Sequence, residues 1–247
     1  MAVYVASARI DENGKAHGGQ AGDQNGKEVS SQVWYKHDKG WVLLRCRDEE
    51  KRKKIAKCMR DAYVNAYIGY DQYQRDTLYN TVKDKGFDVN TLEKAVETDC
   101  SALVRVCVCY AGINSPNFRT TDQAKVLTNT GWFDKYTEDK YVKSSDYLLE
   151  GDILVTKTQG HTVVVLNDGA KATEETADVP SEDMITVASG SFFLRRGPGK
   201  EYTHDGIYVR GGQRLKKVDI GEWTPVQYDN NGTLETRYIG ASGVRKE

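Results

Sequence analysis

Polar and apolar positions fall into contrasting blocks along this chain. Residues 11–32, DENGKAHGGQAGDQNGKEVSSQ, are glycine-rich and polar, and the next stretch, VWYKHDKGWVLL, sets two short aromatic and aliphatic runs either side of Asp38-Lys39-Gly40. Such runs around a turn predict a β-hairpin. From 48 to 66 the period changes: Ile55, Cys58, Met59, Ala62, Tyr63 and Ala66 recur at helical spacing, with acids ahead of bases as the helix dipole favours. A second helix is predicted over 71–85. Positions 102–110 are apolar nearly all round, with only Arg105 interrupting, which predicts a buried helix. The stretch LLEGDILVTKTQGHTVVVLNDGAKATE then reads as a strand, a glycine turn, a strand and an Asn-Asp-Gly hairpin turn.

Helices followed by antiparallel strands predict an α+β domain over residues 1–176. Residues 177–183 carry no apolar pattern and hold a proline, as a linker does. From 184 to 247 four β-like runs are separated by turns at GPGK, RGG and YDNNG, with no helical period. This predicts a small all-β barrel or sandwich.

Composition narrows the function. Lys+Arg number 35 against 36 Asp+Glu, so no global field selects a nucleic acid as partner. No run approaches the roughly 20 apolar residues of a membrane helix, and the opening MAVYVASARIDENGK reads as neither signal peptide nor anchor. Synthesis in a cytoplasm without membrane insertion is expected. The cysteines at 46, 58, 100, 107 and 109 are odd in number and lack the spacing of a disulfide framework or a metal site, so reduced thiols are expected.

One cysteine stands apart. Cys100 opens the apolar helix, where Thr98 or Asp99 can cap the first turn and unpaired N–H groups favour a thiolate. That position suits a nucleophile, although a space-filling sulfur is the commoner use. Cys107 and Cys109 are read as core residues. Of the four histidines, His17 and His37 lie in polar stretches and His204 in a turn of the tail, all read as surface residues. His161 opens the strand HTVVVL after Gly160, where its ring can meet a helix N-terminus and serve as a base.

DCSALV at 99–104, followed by GDILV and GHTVVVLNDG, resembles the NlpC-type papain-like peptidases that cut bacterial cell-wall peptides, with the related CHAP amidase-peptidases sharing the same order of Cys and His. Ala102 replaces the family's usual glycine. The tail's SFFLRRGPGKEY and its ending WTPVQYDNNGTLETRYIGASGV resemble bacterial SH3-like wall-binding domains, with Tyr238 near the family's last tryptophan; ten Lys+Arg against seven Asp+Glu from Met184 onward suit an anionic wall. The resemblance implies a papain-like core, a nucleophile helix packed on an antiparallel sheet, joined to an SH3-like barrel.

The same resemblance implies a phage or prophage endolysin. It would be a monomer that acts on peptidoglycan after release through a separate phage pore, with no cofactor and no metal. Cys100 would attack an amide of the stem peptide and His161 would act as acid and base through a thioester. Tyr70 is a candidate oxyanion donor, although it lies about thirty residues before the nucleophile where the family has about a dozen. Asp99 and Ser101 would line the substrate pocket. For the third catalytic position the family's count lands on Thr173, a poor orienting group, and Asn167 is too far along the strand. Glu175, its neighbour Glu174, and Asp23 or Gln24 of the N-terminal segment are the alternatives, with Glu175 preferred. A CHAP-type N-acetylmuramoyl-L-alanine amidase, a non-catalytic wall-binding phage protein and an intracellular cysteine protease or transglutaminase are the rival readings. The bond cut, the wall type, the host and the role of residues 1–60 stay open at this stage.

Overall fold

A computed structural model of the chain describes residues 2–172, 184–197, 199–217, 223–230 and 233–244. The chain divides into two compact units, Met1–Thr176 and Ala177–Glu247.

Unit 1 is mixed α and β, built on a six-stranded sheet in the order β2-β1-β8-β7-β3-β6, every neighbouring pair antiparallel. Its strands are β1 (Tyr4–Ala8), β2 (Val29–Val33), β3 (Trp41–Cys46), β6 (Phe133–Tyr136), β7 (Ile153–Thr156) and β8 (Thr162–Val165). A short parallel pair, β4 (Ile68–Tyr70) and β5 (Val96–Thr98), leads into the helix α3 (Cys100–Tyr110). On one face of the large sheet, α3 and α1 (Glu49–Tyr63) bury Ile55, Met59, Leu103 and Val106 against Ala6, Leu44 and Val164. On the other face Trp41, Leu43, Leu154 and Val163 pack with Tyr141 and Leu148. The short helices α2 (Thr77–Val82), α4 (Gln123–Asn129) and α5 (Asp139–Val142) complete the unit.

The stretch VWYKHDKGWVLL is not a hairpin. The Asp38-Lys39-Gly40 turn exists, with Gly40 at φ +67° and its N–H on the His37 carbonyl, but β2 pairs only with β1 while β3 runs between β7 and β6. All six residues of β3 are buried, which requires a central strand with covered faces. The polar N-terminal forty residues contribute two strands, so strands precede the helices, contrary to the expected order. The helix expected over 71–85 is confined to α2 and a following 3-10 turn, because Asp71 uses its carboxylate to cap the amides of Tyr73 and Gln74 instead. Asn-Asp-Gly makes no hairpin among the described residues. Asn167 accepts from Tyr4 N–H at 2.8 Å, and the free side of β8 is taken by β1.

The motif GDILV has a structural explanation. Gly151 sits at φ +83°, and a side chain there would stand 2.0 Å from the Arg52 carbonyl oxygen. Asp152 is buried and receives Arg45 through two hydrogen bonds of 2.9 and 2.7 Å, plus the Leu149 amide at 2.8 Å.

Unit 2 holds a two-stranded sheet, β10 (Ser191–Phe193) with β11 (Tyr208–Arg210), and a four-stranded one in the order β14-β13-β12-β9. These last are β9 (Met184–Thr186), β12 (Arg214–Lys217), β13 (Trp223–Asn230) and β14 (Thr233–Gly240). Val187, Leu194, Val209, Leu215, Val226 and Ile239 form its core. A bridge between Arg195 and Tyr238 joins the segment SFFLRRG to the closing strand.

Candidate active site

α3 begins where β5 ends, and Asp99 caps it by accepting the Ala102 amide at 2.7 Å. Cys100 is therefore the first helical residue. It is 7% exposed, and its sulfur faces the backbone amide of Thr162, the first residue of β8, together with the amide of Ser101. The peptide that links His161 to Thr162 thus lies against the Cys100 sulfur. β8 is fixed there from several sides: Ser7 Oγ donates to the Thr162 carbonyl at 2.7 Å, Thr162 Oγ1 donates to Leu154 at 2.9 Å, and Gln123 Nε2 donates to Thr162 Oγ1 at 2.9 Å.

The polar groups flanking Cys100 are held by one residue. Arg75, itself buried, donates through Nε to Asp99 Oδ2 at 2.5 Å, through Nη2 to Ser101 Oγ at 3.0 Å and the Phe118 carbonyl at 2.8 Å, and through Nη1 to Asn117 at 2.9 Å. Ser101 Oγ in turn donates to Asp99 Oδ1 at 2.8 Å. Asp99 and Ser101 are both buried and turned toward this guanidinium.

The electrostatics of Cys100 differ from a simple helix-start argument. Burial, then the Asp99 charge, push its thiol up to about 12, outweighing the amides of Thr162 and Ser101 and the Arg75 charge. His161 is displaced the other way: burial first, then the charges of His37 and Arg9, hold its imidazole down to about 4. At neutral pH both groups are uncharged. The backbone of His161 is anchored through Thr156, whose hydroxyl accepts its N–H at 3.0 Å.

Tyr70 is brought to the site despite its distance in sequence. The parallel register sets it opposite Thr98, two residues before Cys100, and burial followed by the Cys100 and Asp99 charges raises its phenol to about 12. Its hydroxyl accepts from Gln72 Nε2 at 3.0 Å. Asp23 and Gln24 are occupied in their own loop, Asp23 Oδ1 taking the amides of Asn25, Gly26 and Lys27, and Gln24 Nε2 reaching the carbonyls of Ala21 and Gly22. Thr173, Glu174 and Glu175 lie outside the described residues.

His37 is no free surface residue. It is half-buried, its ring 5.0 Å from Trp41 and 6.0 Å from Tyr35, with Nδ1 accepting the Lys39 amide. His17 stacks on Tyr73 at 4.1 Å and His204 on Phe193 at 3.8 Å. Sequence reasoning missed Arg75, Gln123, Arg9 and His37. The sequence gives no sign that Arg75 and Gln123 are buried, or that the fold sets the charges of Arg9 and His37 where His161 senses them. Among the described residues, no group of three or more His, Cys, Asp or Glu side chains could hold a metal ion, and no helix is long and apolar enough to cross a membrane.

Residues 5–172, more than half of the chain and nearly all of unit 1, match the model of the endolysin-like domain. The chain belongs to that family. Membership makes it an endolysin-type protein, a phage cell-wall lytic protein whose substrate is peptidoglycan. Comparison with curated proteins gave no match, and neither did comparison with solved structures.

Proposed function

We propose that this endolysin-type chain hydrolyses an amide bond of the peptidoglycan stem peptide through Cys100 and His161, on a papain-like core of the NlpC type, and that residues 184–247 form an SH3-like module that holds it to the wall. The observation that carries the reading is the apposition of the His161–Thr162 peptide to the sulfur of the first residue of α3.

The two uncharged groups define the order of events. A neutral His161 is in the state required of a base. It takes the Cys100 proton as the sulfur attacks the scissile carbonyl; the C–S bond forms and the carbonyl becomes an oxyanion, to which the Cys100 backbone N–H and the Tyr70 hydroxyl are the candidate donors. His161 then returns the proton to the leaving amine as the C–N bond breaks. Water, deprotonated by His161, releases the thioester as a carboxylic acid and restores the thiol. Glu175 is the group proposed to orient His161. Asp99 and Ser101 act through Arg75 to hold the start of α3, with contact to the stem peptide as their second proposed role.

Mass spectrometry of fragments released from purified peptidoglycan tests this. Cys100→Ala is expected to abolish release while wall binding persists, since it removes the nucleophile and little volume. More than a small residual turnover in that variant would refute the assignment. Residues 184–247 alone are expected to sediment with walls without cutting them.

A further inference from the structure

β2 is an edge strand of the large sheet, and a cavity of about 490 Å³ opens beside it. Three segments line it: Arg9 just beyond β1; Lys27, Ser30 and Ser31 at and before β2; and Tyr63 with Val64 at the end of α1. The volume falls within the range of small-ligand sites, roughly 300–1,000 Å³.

The lining carries one sign of charge. Arg9 and Lys27 are both exposed, no Asp or Glu lines the cavity, and among the described residues no carboxylate forms an ion pair with either cation. The acid next in the chain, Glu28, is buried and its carboxylate is committed to the amides of Gln24 and Tyr70. The backbones that carry the two cations are tied together: Arg9 N–H donates to the Glu28 carbonyl at 2.7 Å, and Ser30 Oγ donates to the Lys27 carbonyl at 3.0 Å. Val64, 71% exposed, and Tyr63 add an apolar border.

Arg9 also connects the cavity to the candidate active site. Ala6 pairs with Val164, and Ser7 Oγ reaches the Thr162 carbonyl at 2.7 Å, so the end of β1 runs alongside the start of β8. The Arg9 charge is felt there. After burial and the His37 charge it is the third cause that holds His161 down, and it opposes the rise that burial imposes on the Tyr35 phenol.

We propose that this cavity is a carboxylate subsite for the peptidoglycan stem peptide, with Arg9 and Lys27 pairing a free carboxylate and Tyr63 and Val64 packing on alanine methyls. Such a peptide offers both groups on one short chain, and the planar fork of Arg9 matches a carboxylate. The inference rests on peptidoglycan as the substrate and deepens the reading of Cys100 and His161: a stem carboxylate held at Arg9 brings the peptide beside the base. Both cations are exposed, so each contributes modestly and is screened by salt.

Calorimetric titration of soluble stem tetrapeptides into the full chain carrying Cys100→Ala tests this, the substitution being expected to prevent turnover. One probe has free carboxylates; the other has every carboxylate converted to a carboxamide. The free-acid peptide should bind more tightly, by a margin that shrinks as salt rises. In the same background Arg9→Gln should weaken the free-acid peptide at least about threefold, and Arg9→Gln with Lys27→Gln about tenfold, leaving the amidated peptide unchanged. Arg9→Lys should keep part of the preference, since it retains the charge without the fork. Equal binding of the two peptides to the parent chain, or equal loss of both in the variants, would overturn the proposal. So would displacement of the free-acid peptide by poly(glycerol phosphate) at lower concentration than by unlabelled peptide, which would assign the cavity to a phosphate polymer. Cleavage of the peptides in the Cys100→Ala background would overturn the nucleophile instead, with the subsite then read from the ratio of KM for the acid and the amide.

Discussion

Asp99 at the turn into Cys100 and Glu97 of β5 are neighbours in the chain, yet the fold accommodates these two buried acids in opposite ways. Asp99 has both oxygens answered, by Arg75 and by Ser101 and the Ala102 amide. Glu97, two residues earlier, has neither; burial, then the charges of Glu28 and Asp71, push its carboxyl up to about 8, outweighing the pull of the nearby Gly22 amide. Cys100 and His161 follow a third course and shed their charge. Burial alone therefore does not fix the state of a group. A buried acid stays ionised when a cation or several donors face it, and otherwise takes up a proton. In the proposed mechanism the distinction matters, because Cys100 as nucleophile would depend on a paired acid holding its helix and on a neutral His161 taking its proton.

Breaking the answered side should have the largest effect. Arg75→Leu leaves Asp99 buried without its cation and frees Ser101, Asn117 and the Phe118 carbonyl, so a loss of about 3–5 kcal/mol is expected, the usual cost of removing one partner of a buried pair. Urea unfolding measures it. Arg75→Lys keeps the charge but not the planar fork, and should fall between the two. A loss below about 1 kcal/mol for the Leu variant would mean that the network contributes little and that α3 is held by its apolar packing.

His161 supplies a medium-sized test of the neutral solution. Its imidazole titrates at 6.5 when unperturbed and at about 4 in the fold. As pH falls through that window the unfolded chain binds a proton that the folded chain refuses, so stability declines toward acid. His161→Gln should lose less stability than the wild type between neutral pH and about pH 4, as read from denaturation midpoints. Equal losses would show that His161 is not held neutral by the fold.

Much of this arrangement was legible in the sequence, for physical reasons that differ by element. α1 and α3 announced themselves because a helix writes its environment into a local period: Ile55, Met59 and Ala62 on one face, apolar residues all round α3. β3 was legible as a strand but not in its pairing. A run such as WVLLRC says that both faces are covered, not which strands lie beside it, and the nearest turn suggested β2 when the neighbours are β7 and β6. Cys100 and His161 stood out because their motifs are local. Arg75 did not, since its partners Asp99, Ser101 and Phe118 come from more than twenty residues away. The burial of Asp11 and Glu97 was hidden for the same reason: in the sequence both look like ordinary surface acids.

The smallest effect separates two causes within the neutral solution. His37 lies beside Trp41 and Tyr35, and its charge is the second cause, after burial, of the low His161 titration. His37→Gln removes that charge and leaves the burial of His161 intact. The His161 midpoint should rise, but only by a fraction of a pH unit, because the larger cause remains; NMR titration of the imidazole C–H resonances resolves such a shift. A rise of more than about one unit, equivalent to about 1.4 kcal/mol, would make the His37 charge and not burial the main reason that His161 is neutral. An unmoved midpoint would mean that the two rings do not sense each other. Wall cleavage near neutral pH should be unaffected, since His161 is deprotonated there with or without its neighbour; a variant that has lost cleavage would mark His37 as part of the chemistry and move the choice of base from His161 to the pair.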